Sequence, residues 1–271
     1  MANSDNKYSE WRRCLMWTGP SYKETKLTKS EIRQMFKESP AWMLRNIYDW
    51  DCEDKTNFWE IICDTAYEIE QLPSKTRNQI RRSLRDCDFE IFSPKELVAR
   101  DGYNVYVEAY SRYRDITVGP RCREEWEADL LKDESGEYWG VTEKATGKLI
   151  AWGRNFRRGD TVNYAVLKAI PSEMNKHYPY FGLLYSMNRY YLVEQGCKYV
   201  TDGFRSITEH SGIQPFLEKN FLFRKAYCRM DVHYRGWFGV AVRVLYPFRR
   251  WLPVSSVLNV LKQEAVNRGD E

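Results

Sequence analysis

Between residues 138 and 167 apolar and β-branched side chains recur in three short runs. Residues 138–143, 149–156 and 161–167 read as strands, separated by turns at 145–148 and 157–160. Gly159 in the second turn is free to take positive φ. Three strands on short turns predict an antiparallel meander. After Pro171 the spacing of apolar positions changes from two to about 3.6. Phe181, Leu184, Tyr185, Asn188, Tyr191 and Leu192 share one face of a predicted helix that stops at Gly196. Residues 198–202 return to strand, 211–220 to helix and 221–234 to strand. A meander feeding a strand–helix–strand crossover predicts a mixed α/β sheet. The loop from Asp202 to Gly212 leaves the end of a strand, a usual place for a site in such sheets.

Upstream, residues 11–17 read as a strand with Arg12 and Arg13 outward. Thr28 or Ser30 caps a helix that carries Ile32, Met35 and Phe36 as far as Pro40. Trp42, Leu44, Ile47 and Trp50 suggest a second helical segment over 41–50, and 57–63 reads as a strand. Pro73 and Ser74 open a helix in which Arg77, Arg81 and Arg85 recur at i, i+4 and i+8 on one face. That ladder either binds anions such as phosphate or is a solvated face balanced by neighbours such as Asp86 or Glu90. Residues 88–92 read as a strand, 94–115 as a Tyr-rich helical stretch weakened at Gly102, and 121–132 as a helix.

The segment 236–267 differs in character. Residues 237–246 are strongly apolar, Pro247-Phe-Arg-Arg-Trp-Leu-Pro253 follows, and 254–266 reads as a short helix. Arg243, Arg249 and Arg250 beside Trp237, Phe238, Trp251 and Leu252 suit a membrane-surface helix. The alternative is a helical appendix packed on the sheet or on a second subunit.

Composition narrows the picture. With 43% hydrophobic and 30% charged residues the chain is globular in type, and 271 residues suffice for one large or two small domains. A net charge of +4 permits anionic partners without demanding nucleic acid. The seven cysteines are scattered and form no CxxC, which predicts buried thiols in a reducing cytoplasm. Three histidines with no HxH or HExxH give no zinc spacing, so no metal is expected. The N-terminus shows no apolar signal segment, and no run of 18 apolar residues occurs.

From Asp88 onward the element order is β, α, α, β, β, β, α, β, α, β. That order resembles the GNAT acyltransferase fold. Tyr199-Val-Thr-Asp-Gly-Phe-Arg-Ser206, then Gly212, Phe216 and the run Glu218-Lys-Asn-Phe-Leu-Phe-Arg-Lys225, are similar to the FemAB-like branch. The helix 77–85 also looks like the basic helix preceding the transferase domain there. The resemblance covers about residues 58–234. It implies an N-terminal partial lobe (1–75), a transferase domain (76–235) and a basic-aromatic helical tail (236–271). The implied activity is acyl or aminoacyl transfer to an amine of an amino sugar, a peptide or a cell-surface polysaccharide precursor. The alternative is a degenerate, non-catalytic module that binds an anionic glycan, lipid or RNA. Expected locations are the cytoplasm and the inner membrane face, where the tail would touch lipid and a lipid-linked acceptor.

No tightly bound cofactor is implied, and the donor is either acyl-CoA or aminoacyl-tRNA. The pyrophosphate loop of acetyl-CoA-using relatives should lie between Pro171 and Leu184. Only Gly182 of its glycines is present, and Tyr178-Pro-Tyr180 would block close backbone approach. Fem-type enzymes take aminoacyl groups from tRNA and also lack that loop, but they carry two transferase-like domains where this chain has one. The family's splayed strands correspond here to 161–168 and 198–202. Around that mouth the resemblance places Asp202 or Glu209 as base or amine orienter and His210 as a proton shuttle. Arg205 is the expected anion clamp, with Tyr164, Lys168 and Ser206 as substrate contacts. The structural alternatives are a turn at Asp202-Gly203, an Arg205–Asp202 pair, and Ser206 or Thr208 as a helix cap.

Overall fold

The computed structural model describes residues 8–112, 119–207, 212–252 and 255–270. In chain order the strands and helices begin with β1 (Tyr8–Trp11), β2 (Cys14–Trp17), α1 (Lys29–Glu38), β3 (Met43–Tyr48) and β4 (Phe58–Cys63). Next come α2 (Ser74–Asp86), β5 (Cys87–Phe92), α3 (Pro94–Ala99), α4 (Gly102–Tyr110) and α5 (Arg123–Leu131). The meander is β6 (Gly136–Glu143), β7 (Leu149–Arg158) and β8 (Thr161–Ala169). It leads to α6 (Pro179–Asn188), β9 (Tyr199–Phe204), α7 (Ile213–Asn220) and β10 (Arg224–Tyr234). Helices α8 (Gly236–Leu245) and α9 (Ser255–Arg268) follow.

The chain forms two compact units, and their boundaries differ from the division into 1–75, 76–235 and 236–271. The first holds residues 1–61, 204–214 and 224–271; the second holds 62–203 and 215–223. The reason is non-local pairing. Strand β10 lies antiparallel to β3, from Arg229 opposite Tyr48 to Tyr234 opposite Met43. Residues some 185 positions apart in sequence are thereby joined, so β10 and the tail belong with the N-terminal elements.

In the first unit β1 pairs antiparallel with β2, β2 parallel with β3, and β3 antiparallel with β10. The predicted single strand at 11–17 is instead a hairpin, turned by Arg12 and Arg13 at φ 49° and 65°. The predicted helix at 41–50 is instead strand β3. It is buried at five of six positions, on both faces, with Arg45 and Asn46 among its residues, so no apolar–polar alternation marks the strand. Helix α1 starts as expected, with Thr28 and Glu31 closing a reciprocal capping box worth about 1 kcal/mol. The tail packs inward on this unit. Val242, Tyr246, Leu261 and Ala265 form a buried cluster, and Val266 joins Met43, Ile47, Phe58 and Val232.

The second unit carries the meander β5–β6–β7–β8, antiparallel throughout, and β9 parallel to β8. One face holds α3, α4 and α5, whose Leu97, Val105, Tyr106 and Trp126 pack with Phe92, Tyr138 and Trp152. The predicted 94–115 helix breaks at Asp101, which sits in the left-handed region at φ 56°. Helix α6 passes into a π-helical stretch, Arg189–Glu194, and the chain turns at Gly196 with φ +61°. All seven cysteines are free. Among the described residues no helix is long and apolar enough to cross a membrane.

Candidate active site

Strands β8 and β9 begin side by side. Thr161, Val162 and Asn163 face Tyr199, Val200 and Thr201 in parallel register. Among the described residues the pairing ends there, although β8 runs on to Ala169. From Tyr164 onward β8 stays paired to β7 on one edge, and β9 pairs with its other edge no further among the described residues. Such an edge presents backbone N–H and C=O groups at strand spacing, the donor type that a tetrahedral oxyanion needs.

A register shift of the β7–β8 pair falls at this edge. Asn155 faces Tyr164 and Arg154 faces Val166, so Ala165 is an extra, bulged residue. Ala165 is exposed while Tyr164 is 3% exposed. The Tyr164 hydroxyl donates to Asn188 Oδ1 at 2.7 Å, and Asn188 Nδ2 donates to the Tyr67 hydroxyl at 2.7 Å. Burial pushes both phenols well above their usual range. Tyr164 therefore supports the strand from behind, and its hydroxyl is enclosed. Lys168 sits with its ammonium 4.6 Å from the ring centre of Tyr110 and 5.9 Å from that of Tyr106 on α4.

A second buried chain underlies β6 and β7. Trp139 Nε1 and Asn155 Nδ2 donate to the Tyr191 hydroxyl at 3.0 and 3.2 Å, and that hydroxyl donates to Glu137 Oε2 at 2.8 Å. Asn155 and Asn188, missed as site-supporting residues, share one signal in the sequence. Each is an amide on an otherwise apolar strand or helix face, where burial requires a polar partner.

Asp202 lies half-buried in β9, beside Gly203 at φ +90°. Arg205 belongs to the first unit. Its backbone N–H donates to Trp59 O at 2.7 Å, its Nη1 donates to Asn57 O at 2.6 Å, and its guanidinium lies 5.1 Å from the Trp59 ring centre. Ser206 follows it, exposed. Glu209 and His210, with Thr208, lie outside the described residues.

The arginine ladder on α2 has local partners. Arg77 donates to Glu70 O at 2.9 Å, Arg81 to Glu70 Oε1 at 3.3 Å and Arg85 to Asp86 Oδ1 at 2.8 Å. Arg81 and Arg85 thus have acidic partners at the surface, and Arg77 reaches a backbone carbonyl. Glu90, on β5, is not among these partners.

The segment before α6 is built for packing. Pro179 is the first helical residue and has no N–H, and Tyr178 precedes it in the left-handed region at φ 52°. A Cβ on Gly182 would lie 2.1 Å from Phe89 Cζ and 2.5 Å from Ser83 Oγ, so this glycine lets α6 approach α2 and β5. Lys176 and His177 approach Glu143 Oε1 at 3.2 and 2.9 Å. A glycine-rich phosphate cradle needs free amides at a helix start, and this start lacks them. Among the described residues no group of three or more His, Cys, Asp and Glu is placed to hold a metal.

No protein-family model matches the sequence, and neither does any curated protein. Solved structures do match. FemX covers 80% of this chain and 77% of its own, with a TM-score of 0.57 at 10% identity. The C-terminal domain of a putative lysylphosphatidylglycerol synthetase from Agrobacterium fabrum gives 0.48 at 10% identity, covering 79% of this chain and 74% of its own. L-PGS from Bacillus licheniformis gives 0.45 at 14% identity, covering 76% and 71%. The open β8–β9 pair after an antiparallel meander and the likeness to FemX agree on one architecture: the chain has a GNAT-like, FemAB-related fold.

Proposed function

We propose that this protein transfers an acyl or aminoacyl group to an amine at the open edge of β8. The observation that carries the reading is the end of β8–β9 pairing at Asn163 and Thr201, where β9 leaves β8 beside the exposed, bulged Ala165. The amine nitrogen attacks the donor carbonyl carbon, and β8 amides stabilise the oxyanion. The C–N bond forms as the bond to the donor's leaving oxygen or sulfur breaks. Asp202 accepts the ammonium proton or orients the amine, with Glu209 and His210 as further proton carriers. Lys168 adds a polar contact on β8, and Arg205, held by Asn57 and Trp59 within the first unit, and Ser206 are candidate contacts for an anionic group.

The start of α6 favours aminoacyl-tRNA over acyl-CoA as donor, because Pro179 and the packed Gly182 leave no amide cradle for a pyrophosphate. Amino sugars, peptides and precursors of cell-surface polysaccharide are the acceptor class. A non-catalytic binding module is the second reading, favoured by the enclosed Tyr164 hydroxyl, which leaves one fewer polar group for chemistry.

The test is substitution at exposed Ala165. In a transfer assay with a pool of charged tRNA and an amino-sugar acceptor, Ala165→Arg should abolish transfer while the melting temperature stays within a few degrees. Arg205→Ala should lower transfer about a hundredfold. Full transfer by both variants would sink the reading.

A further inference from the structure

Helix α8 is apolar on both faces. Its inner face packs Val242 into the tail cluster, and Phe238 beside it. Its outer face is exposed: Trp237 58%, Val240 59% and Val244 60%. The stripe continues through Phe248 at 49% and Trp251 at 80%. At about 100° per residue Trp237, Val240 and Val244 fall within roughly 60° of arc on α8, and Phe248 and Trp251 follow in the 3-10 helix and turn after it. Trp42, 40% exposed, widens the patch by packing edge-on against Trp237 at 5.4 Å. Large apolar side chains aligned in solvent mark an interaction surface.

The charges within the stripe's own segment are of one sign. Residues 236–252 contain Arg243, Arg249 and Arg250 and no Asp or Glu. A groove of about 670 Å³ runs between α1 and α8, lined by Arg33, Lys37 and Arg243, and by Glu264, which is paired with Arg268. Among the described residues no ion pair engages these three cations, and Arg33, Lys37 and Arg243 are all exposed.

We infer that the outer face of α8 docks on an anionic lipid surface, with the Trp237–Trp251 stripe entering the interface and the flanking cations meeting the headgroups. Tryptophans at the two ends of the stripe suit the headgroup level, and aliphatic residues between them suit the acyl boundary. A second copy of this chain is the poorer occupant. A twofold contact on this face would bring cations of one copy towards cations of the other with no acid on the stripe to offset them. The inference goes beyond the transfer reading and does not depend on it, since no step below involves chemistry.

The experiment is flotation of the full chain with vesicles of phosphatidylcholine alone or mixed with phosphatidylglycerol, at low and high salt. Binding to the anionic vesicles alone, weakened by salt, is expected. Val244→Asp and Trp251→Ser should each weaken it about tenfold, and Arg243→Glu together with Arg250→Glu about tenfold or more. All four side chains are exposed, so unchanged melting temperatures should accompany these losses. Absence of binding to anionic vesicles overturns the inference, as does binding that survives all the variants. A concentration-dependent dimer in sedimentation velocity, dissolved by Val244→Asp without any vesicle binding, assigns the face to a second copy instead.

Discussion

Tyr164 and Asn188 are joined by a 2.7 Å hydrogen bond inside the second unit, with 3% and 2% of their surfaces exposed. Asn188 passes the link on to Tyr67, which is 5% exposed. One amide thus satisfies two buried phenols and ties the open strand to α6. Asn188→Leu would strand both hydroxyls in an apolar setting, at a cost of about 1–3 kcal/mol for each. Denaturant unfolding should show a loss of roughly 2–5 kcal/mol. Tyr164→Phe should cost less, about 1–2 kcal/mol, because it leaves only the Asn188 oxygen unpaired. Equal stability of Asn188→Leu and the parent would refute this role.

Gly182 is a contact, not a hinge. Its missing Cβ is the space that Phe89 and Ser83 occupy. Gly182→Ala should destabilise by about 1–3 kcal/mol through overpacking, despite the better helix propensity of alanine. A stability gain in thermal melts would show that α6 relaxes away from α2 at no cost.

Asp133 sets an acid limit. Burial alone would raise its carboxyl, but hydrogen bonds from Tyr138 and Ser135 and the charge of Arg154 outweigh burial and hold it below the usual 3.8. A carboxyl lowered in the folded state contributes stability above its unfolded value, and that contribution is lost as pH falls through the folded value. Stability should therefore fall on acidification below about pH 4. Asp133→Asn should lose about 1–3 kcal/mol at neutral pH and flatten the dependence below pH 4. An unchanged acid slope in the variant would remove Asp133 as its cause.

Much of the second unit was legible in the chain. The meander strands are bounded by turn residues, and α2, α6 and α7 carry helical spacing. Strand β3 was not legible, because Met43–Tyr48 is buried on both faces and its Arg45 and Asn46 break the alternation that would mark a strand. The β1–β2 turn was hidden too, since Arg12 and Arg13 occupy positive φ without the usual Gly or Asn. The unit boundary depends on β3 meeting β10, which local pattern does not encode. At the site, the bulge at Ala165 changes which residues of β8 face inward. Strict alternation places Tyr164 and Lys168 on the same face, whereas Tyr164 is enclosed and Lys168 lies against Tyr106 and Tyr110. Asp202 and Arg205 were placed near a strand end by resemblance, but Arg205's anchors, Asn57 and Trp59, lie about 150 residues away.

Donor binding tests the transfer reading most directly. Thermal melts of the full chain should be compared with acetyl-CoA, bulk charged tRNA and bulk uncharged tRNA, at equal ionic strength. Charged tRNA should raise the midpoint by about 2–4 °C, uncharged tRNA by less, and acetyl-CoA by nothing measurable. A shift with acetyl-CoA alone would contradict the donor assignment, and no shift with any of the three would contradict transfer at the β8 edge.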